Sequence, residues 1–190
     1  MLNQQETLTE VSLGGQTING SAQFFYALIA MTCLYGCFIG FGSAITLQAN
    51  LTALAARRCV TPTHKLKLIL SEQIASFLLG YFDVIVLLIY LRYILKLDFQ
   101  GKIGSMLLIS FFGSLIGVSI GIFVGSLGKM KEGGKIGIIL GFSMVFSFLS
   151  GLMNNTMKDL VEKNMPVINR INPAALISDA FYCINVYDDM

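Results

Sequence analysis

The chain has 190 residues, of which 55% are hydrophobic and 13% charged, with a mean hydropathy of +0.72 and a formal net charge of +2. Soluble domains carry roughly 25% charged residues, so this composition belongs in a bilayer. It excludes a soluble enzyme, a nucleic-acid-binding domain and a disulfide scaffold.

The placement of the charges says more than their number. Between Glu10 and Arg57 lie 46 residues without Asp, Glu, Lys or Arg; Lys102 to Lys129 encloses 26 more, and Lys135 to Lys158 encloses 22. Between Glu72 and Arg92 the one charge is Asp83. A bilayer core takes about 20 apolar residues per helix, so each of these tracts can cross once. The tracts are continuous rather than alternating, which sets aside a membrane β-barrel. The expected fold is all-α: a polytopic membrane protein with four transmembrane helices and a C-terminal interfacial helix.

In chain order, residues 1–22 read as a polar extracytoplasmic segment, with Gly14-Gly15 and Asn19-Gly20 marking turns. They lack the basic-then-apolar pattern of a signal peptide. The first span runs from about Gln23 to Leu47, opened by Phe24-Phe25-Tyr26, and its pattern continues without a breaker to Ala56. Arg57 to Lys65 forms a basic connection interrupted by Pro62. The second span covers Leu66 to Leu95 and the third Ile103 to Leu127. A basic turn from Gly128 to Lys135 follows, and the fourth span occupies Ile136 to Met153. Residues 23–153 make the transmembrane domain, and 154–190 an extracytoplasmic tail. In that tail Asn172 suits an N-cap and Pro173 the first helical position. Leu176, Ile177, Ala180, Phe181 and Ile184 then share one helical face. A helix from Pro173 to Tyr187 is about 22 Å long at ~1.5 Å per residue, too short to span, and belongs in the outer interface.

Orientation follows from Lys and Arg in the connections. Arg57, Arg58, Lys65, Lys67, Lys129, Lys131 and Lys135 lie on one side, seven against six on the other, and the seven are concentrated in two short loops. Both termini are therefore placed outside. A chain that starts outside without an export signal reads as a segment of a longer protein, lacking at least one upstream span.

No catalytic residue and no metal site can be drawn. His64 is the single histidine, and Cys33, Cys37, Cys59 and Cys183 have no paired metal spacing. Asp83 has no second carboxylate for proteolysis, and no serine has a base. The stretch from Gly128 to Ile136 has the wrong spacing for a phosphate loop, and Ile136 stands where Ser or Thr must reach magnesium.

Three features carry functional readings. Burying Asp83 costs about 2.5–3.5 kcal/mol on insertion scales, so it is expected to face the bundle or a wet cavity. There it serves a substrate path or ties helices together. Gly113, Gly117, Gly121 and Gly125 recur every fourth residue on the third span. Gly137 and Gly141 extend the theme on the fourth, and Gly36 and Gly40 on the first. Such faces suit close helix packing, static or sliding. The basic connection, with Arg57, Arg58, Pro62, Thr63, His64 and Lys65, either anchors helix ends on anionic lipid or docks on a cytoplasmic partner.

The run from Gln48 to Arg58, the segment from Val60 to Lys67, the spacing of three further spans and the tail from Arg170 to Tyr182 together resemble the membrane subunit of type-2 ABC transporters. The resemblance covers about Gln23 to Tyr187. It implies an exporter-type permease working as a dimer by alternating access, and the low Trp count and Ile-, Lys- and Met-rich usage fit a bacterial plasma membrane. A separate ATP-binding cassette ATPase subunit would hold the ATP and magnesium, with no cofactor in this chain. Arg57 to Lys65 would be the coupling segment. Six helices are usual in that family, and this chain would supply the second to fifth. Asn50 to Arg58 lacks the Glu and Gly that many members carry there. The competing expectation is a non-transporting accessory or immunity-type scaffold.

Overall fold

The computed structural model describes residues 20–48, 53–60, 64–96, 103–127, 130–153, 161, 163 and 166–187; among them there is no strand. Four helices are long and apolar enough to cross a membrane: α1 (Gly20–Thr46), α3 (Lys65–Tyr93), α4 (Ile103–Ser126) and α5 (Glu132–Leu149). Three shorter helices are α2 (Ala53–Val60), α6 (Pro166–Ile171) and α7 (Pro173–Tyr187). The all-helical, four-span architecture is the one that the charge-free tracts predict.

Two boundaries differ from the sequence reading. The first span does not run on to Ala56: α1 ends at Thr46, Leu47 donates to the Ala44 carbonyl in a closing turn, and residues 53–60 form the separate α2. The fourth span starts at Glu132 rather than Ile136. An acidic residue in a first turn opposes the positive end of the helix dipole, so Glu132 favours the early start. Lys135 is thereby drawn from the loop into the helix.

α1 is the central element. It packs most extensively on α4, then on α3 and α7. In its most apolar stretch 56% of residues are buried, against 22% in α3 and in α5, so these two are flanking helices with broad outward faces. One apolar core joins Tyr26, Ile29, Cys33 and Leu34 of α1 to Val84, Leu91, Met106, Ile177 and Phe181. A second, nearer the other end of α1, joins Cys37 and Phe41 to Val124 and Ile139.

α7 docks on the bundle. Its buried face is Ala174, Ile177, Ser178 and Phe181, and the Phe181 ring stacks on Tyr26 with centroids 6.3 Å apart. The expected face is thus rotated: Leu176 is 52% exposed, while Ala180 and Ile184 are half-buried. Asn172 is fully buried and makes the N-cap. Its Oδ1 accepts from the Ala174 N–H at 2.9 Å, and its Nδ2 donates to the Phe146 carbonyl of α5 at 2.9 Å. Pro173 opens the helix as expected.

Candidate functional site

The glycines of α4 set how the spans meet. A Cβ added at Gly117 would run into the Cys33 carbonyl oxygen, and one at Gly121 into the Cys37 carbonyl oxygen. One at Gly125 would strike the Ala44 Cβ, and one at Gly113 would lie 3.0 Å from Ile177 Cδ1 and 3.1 Å from Cys33 Sγ. The α1 and α4 backbones are therefore in direct contact, which suits weak Cα–H···O=C interactions in place of side-chain packing. Val118, also on α4, is fully buried against Gly36 and Gly40 of α1 and Gly80 of α3.

Gly137 and Gly141 do not belong to this seam. A Cβ at either would meet nothing within 4 Å. The inward stripe of α5 is Lys135, Ile139, Ser143 and Ser147, which places both glycines on other faces of the helix.

Polar side chains pin the spans together. Cys37 Sγ and Ser143 Oγ are 3.3 Å apart between α1 and α5, and Ser43 hydrogen-bonds Ser76 between α1 and α3. Gln73 Nε2 donates to Ser119 Oγ at 3.3 Å, joining α3 to α4. At the end of the bundle where α1 and α4 finish and α5 begins, Lys135 is 1% exposed. Its Nζ donates to the Gly125 carbonyl at 2.7 Å and to Gln48 Oε1 at 3.4 Å; the Gln48 amide also donates to that carbonyl. Lys135 is therefore not the loop charge that the sequence suggests but a buried tie between α5, the end of α4 and the turn that follows α1. Gln48 was detectable as a polar residue closing an apolar tract, and Lys135 by its spacing of four from Ile139.

Arg57 and Arg58 lie on α2, and Arg57 is exposed. α2 makes no extensive contact with the other described helices. Pro62 and Thr63 lie outside the described residues. His64 is exposed and extended (φ −60°, ψ 123°); its carbonyl accepts from the Lys67 and Leu68 N–H groups and so starts α3. Lys65, also exposed, is the first residue of that helix.

Asp83 is not enclosed by the bundle. The buried positions of α3 are Ser76, Gly80, Val84 and Leu91, and Asp83 sits one residue round the helix from that stripe, exposed. It lines a groove of about 430 Å³ that opens to the outside of the chain, beside Thr32, Tyr35, Phe38 and Ile39 of α1 and Leu140 of α5.

Fold and site together define a multi-pass α-helical membrane protein whose first two spans are joined through a basic helical knob. The chain belongs to the ABC-2 transporter family: the family described as ABC-2 family transporter protein matches residues 2–190. It is accordingly a membrane permease of an ABC transporter, a transport component rather than a catalyst. Neither a curated relative nor a solved structure matches it.

Proposed function

We propose that this permease moves its substrate outward across the cell membrane, driven by a separate ATP-hydrolysing subunit that docks on α2. The observation that carries the proposal is α2 itself: a basic helix with Arg57 exposed, between the two spans α1 and α3 and with no extensive contact to either. A basic helix set between two spans can pass a partner's movement to both. ATP and magnesium belong to that partner. Closure of its nucleotide sites would shift α2, and with it the ends of α1 and α3, switching a permease dimer between inward- and outward-open states. Pro62, Thr63, His64 and Lys65 complete the coupling segment, and the groove at Asp83 lies on the substrate path. The bacterial plasma membrane, with both termini outside, is the setting that this mechanism assumes.

The test is purification of the tagged, natively expressed protein in mild detergent, with every stoichiometric partner identified by mass. An ATPase subunit is expected with the wild type and should be lost from Arg57→Glu/Arg58→Glu while the permease stays folded. A stable chain that never carries an ATPase would instead make it an accessory scaffold.

A further inference from the structure

The groove at Asp83 has a chemical bias beyond its position. Its walls are the apolar side chains of Phe38, Ile39 and Leu140, with Tyr35 and Thr32 alongside, and at about 430 Å³ it has the size of a small-molecule site. Apart from the Tyr35 hydroxyl, which can donate or accept, the polar side chains on that lining present acceptors. Thr32 Oγ1 donates its proton to the Leu28 carbonyl at 3.0 Å, so only its lone pairs remain for a ligand. Asp83 offers a carboxylate, and among the described residues no Lys, Arg or His pairs with it. No lining residue carries an ammonium, a guanidinium or an amide N–H₂. Tyr35 and Phe38 meet edge to face, with centroids 5.7 Å apart, so two aromatic rings stand together on the groove wall.

Depth sharpens the bias. In the Lys65–Tyr93 helix, Asp83 lies about 15 Å from one end and about 27 Å from the other at ~1.5 Å per residue, well inside a bilayer. A carboxylate there is unfavourable until a positive charge, a proton or a bound cation, joins it. One carboxylate, aromatic rings and apolar walls together select a ligand with a single positive charge and a greasy body.

We infer that the groove formed by Thr32, Tyr35, Phe38, Ile39, Asp83 and Leu140 binds lipophilic monocations, amines or quaternary ammonium compounds, as the permease's substrate class. This rests on the transporter reading above. Tyr35 supplies a π face, Asp83 the counter-charge and Thr32 an acceptor for an ammonium N–H.

Tetraphenylphosphonium and tetraphenylborate have nearly the same shape and opposite charge, so the pair isolates the electrostatic contribution. Binding is measured on the purified chain in neutral detergent, with each probe referenced to empty micelles. The wild type should bind the phosphonium at least about ten-fold more tightly than the borate. Asp83→Asn should remove that preference, Asp83→Glu should retain it, and Tyr35→Leu should weaken phosphonium binding about five-fold. Equal binding of the two probes, no binding of either, or a preference that survives Asp83→Asn overturns the inference. The wild-type comparison decides the matter even if a variant does not fold. Looking for the ATPase in the same preparation separates the two readings. With the ATPase present and no cation preference, only the substrate class falls; with no ATPase, the transporter mechanism falls.

Discussion

The ammonium of Lys135, in the first turn of α5, donates a 2.7 Å hydrogen bond to the Gly125 carbonyl in the last turn of α4. Carbonyls at a helix C-terminus have no partner within the helix and carry the negative end of its dipole, so a buried cation there meets both needs. Lys135→Met should leave Gln48 Oε1 and one lone pair of that carbonyl without a donor, at about 1–3 kcal/mol. Thermal unfolding in detergent should register the loss, and an unchanged midpoint would show the tie to be incidental. An amine-reactive reagent should modify the exposed Lys131 and spare Lys135 until the protein unfolds.

Alanine at Gly117 or Gly121 should already disrupt the α1–α4 contact, because its Cβ has no space against the Cys33 or Cys37 carbonyl. Overpacking of this kind costs about 1–3 kcal/mol or more, since backbone must move. Gly137→Ala and Gly141→Ala meet open space and gain helix propensity of up to about 1 kcal/mol. Thermal midpoints of the four variants should therefore divide by helix, α4 falling and α5 holding or rising. A uniform drop would mean that the α5 glycines pack against something beyond this chain.

Asn172 is an N-cap of an unusual kind, for its amide nitrogen is as engaged as its oxygen. At an exposed cap Asp replaces Asn at little cost. Here Asn172→Asp keeps the bond from Ala174 but turns a buried carboxylate towards the Phe146 carbonyl. It should destabilise at least as much as Asn172→Ala, by about 1–3 kcal/mol. Equal stability of Asn172→Asp and wild type would remove α5 from the docking of α7.

Orientation can be read from a thiol. Cys183 of α7 is exposed, whereas Cys33 and Cys37 are buried in α1. In a Cys59→Ser background, a membrane-impermeant maleimide added to intact cells should label Cys183 and nothing else in this chain. Labelling only after permeabilisation would invert the topology and move α2 outside, away from any ATPase.

The four spans were legible because charge is excluded from lipid so strongly that its absence alone marks them. The cap at Asn172 and the tight face from Gly113 to Gly125 were legible for a similar reason, each being a local steric or hydrogen-bonding need. Partnership was harder to read. Gly137 and Gly141 have the spacing of a packing face, but small residues permit an approach without supplying the neighbour. Lys135 looks like a solvated loop charge until Gln48, 87 residues away in sequence, comes within reach of its ammonium. Asp83 lies one residue beyond a buried stripe, and hydropathy does not record on which side of a helix a lone carboxylate emerges. The rotation of α7 was hidden likewise, because both of its candidate faces are apolar.

The direct backbone contact between α1 and α4 turns these two helices into a spar. With no layer of side chains between Gly117 and Cys33 or Gly121 and Cys37, the two backbones themselves make the contact, and neither can take on a side chain there. The flanks are held through side chains instead: α3 by Val84 and Leu91 in the core and by the Ser43–Ser76 and Gln73–Ser119 bonds, α5 by Cys37 and Ser143 and by the Lys135 tie. Hydroxyl bonds of this sort between membrane helices are worth about 0.6 kcal/mol and re-form easily. Room to accommodate change thus lies with the two less buried helices, which carry Asp83 and Leu140. Changes that reshape the groove from those sides can be absorbed by the flanks, while added bulk on the glycine-packed side of the spar would be a folding defect.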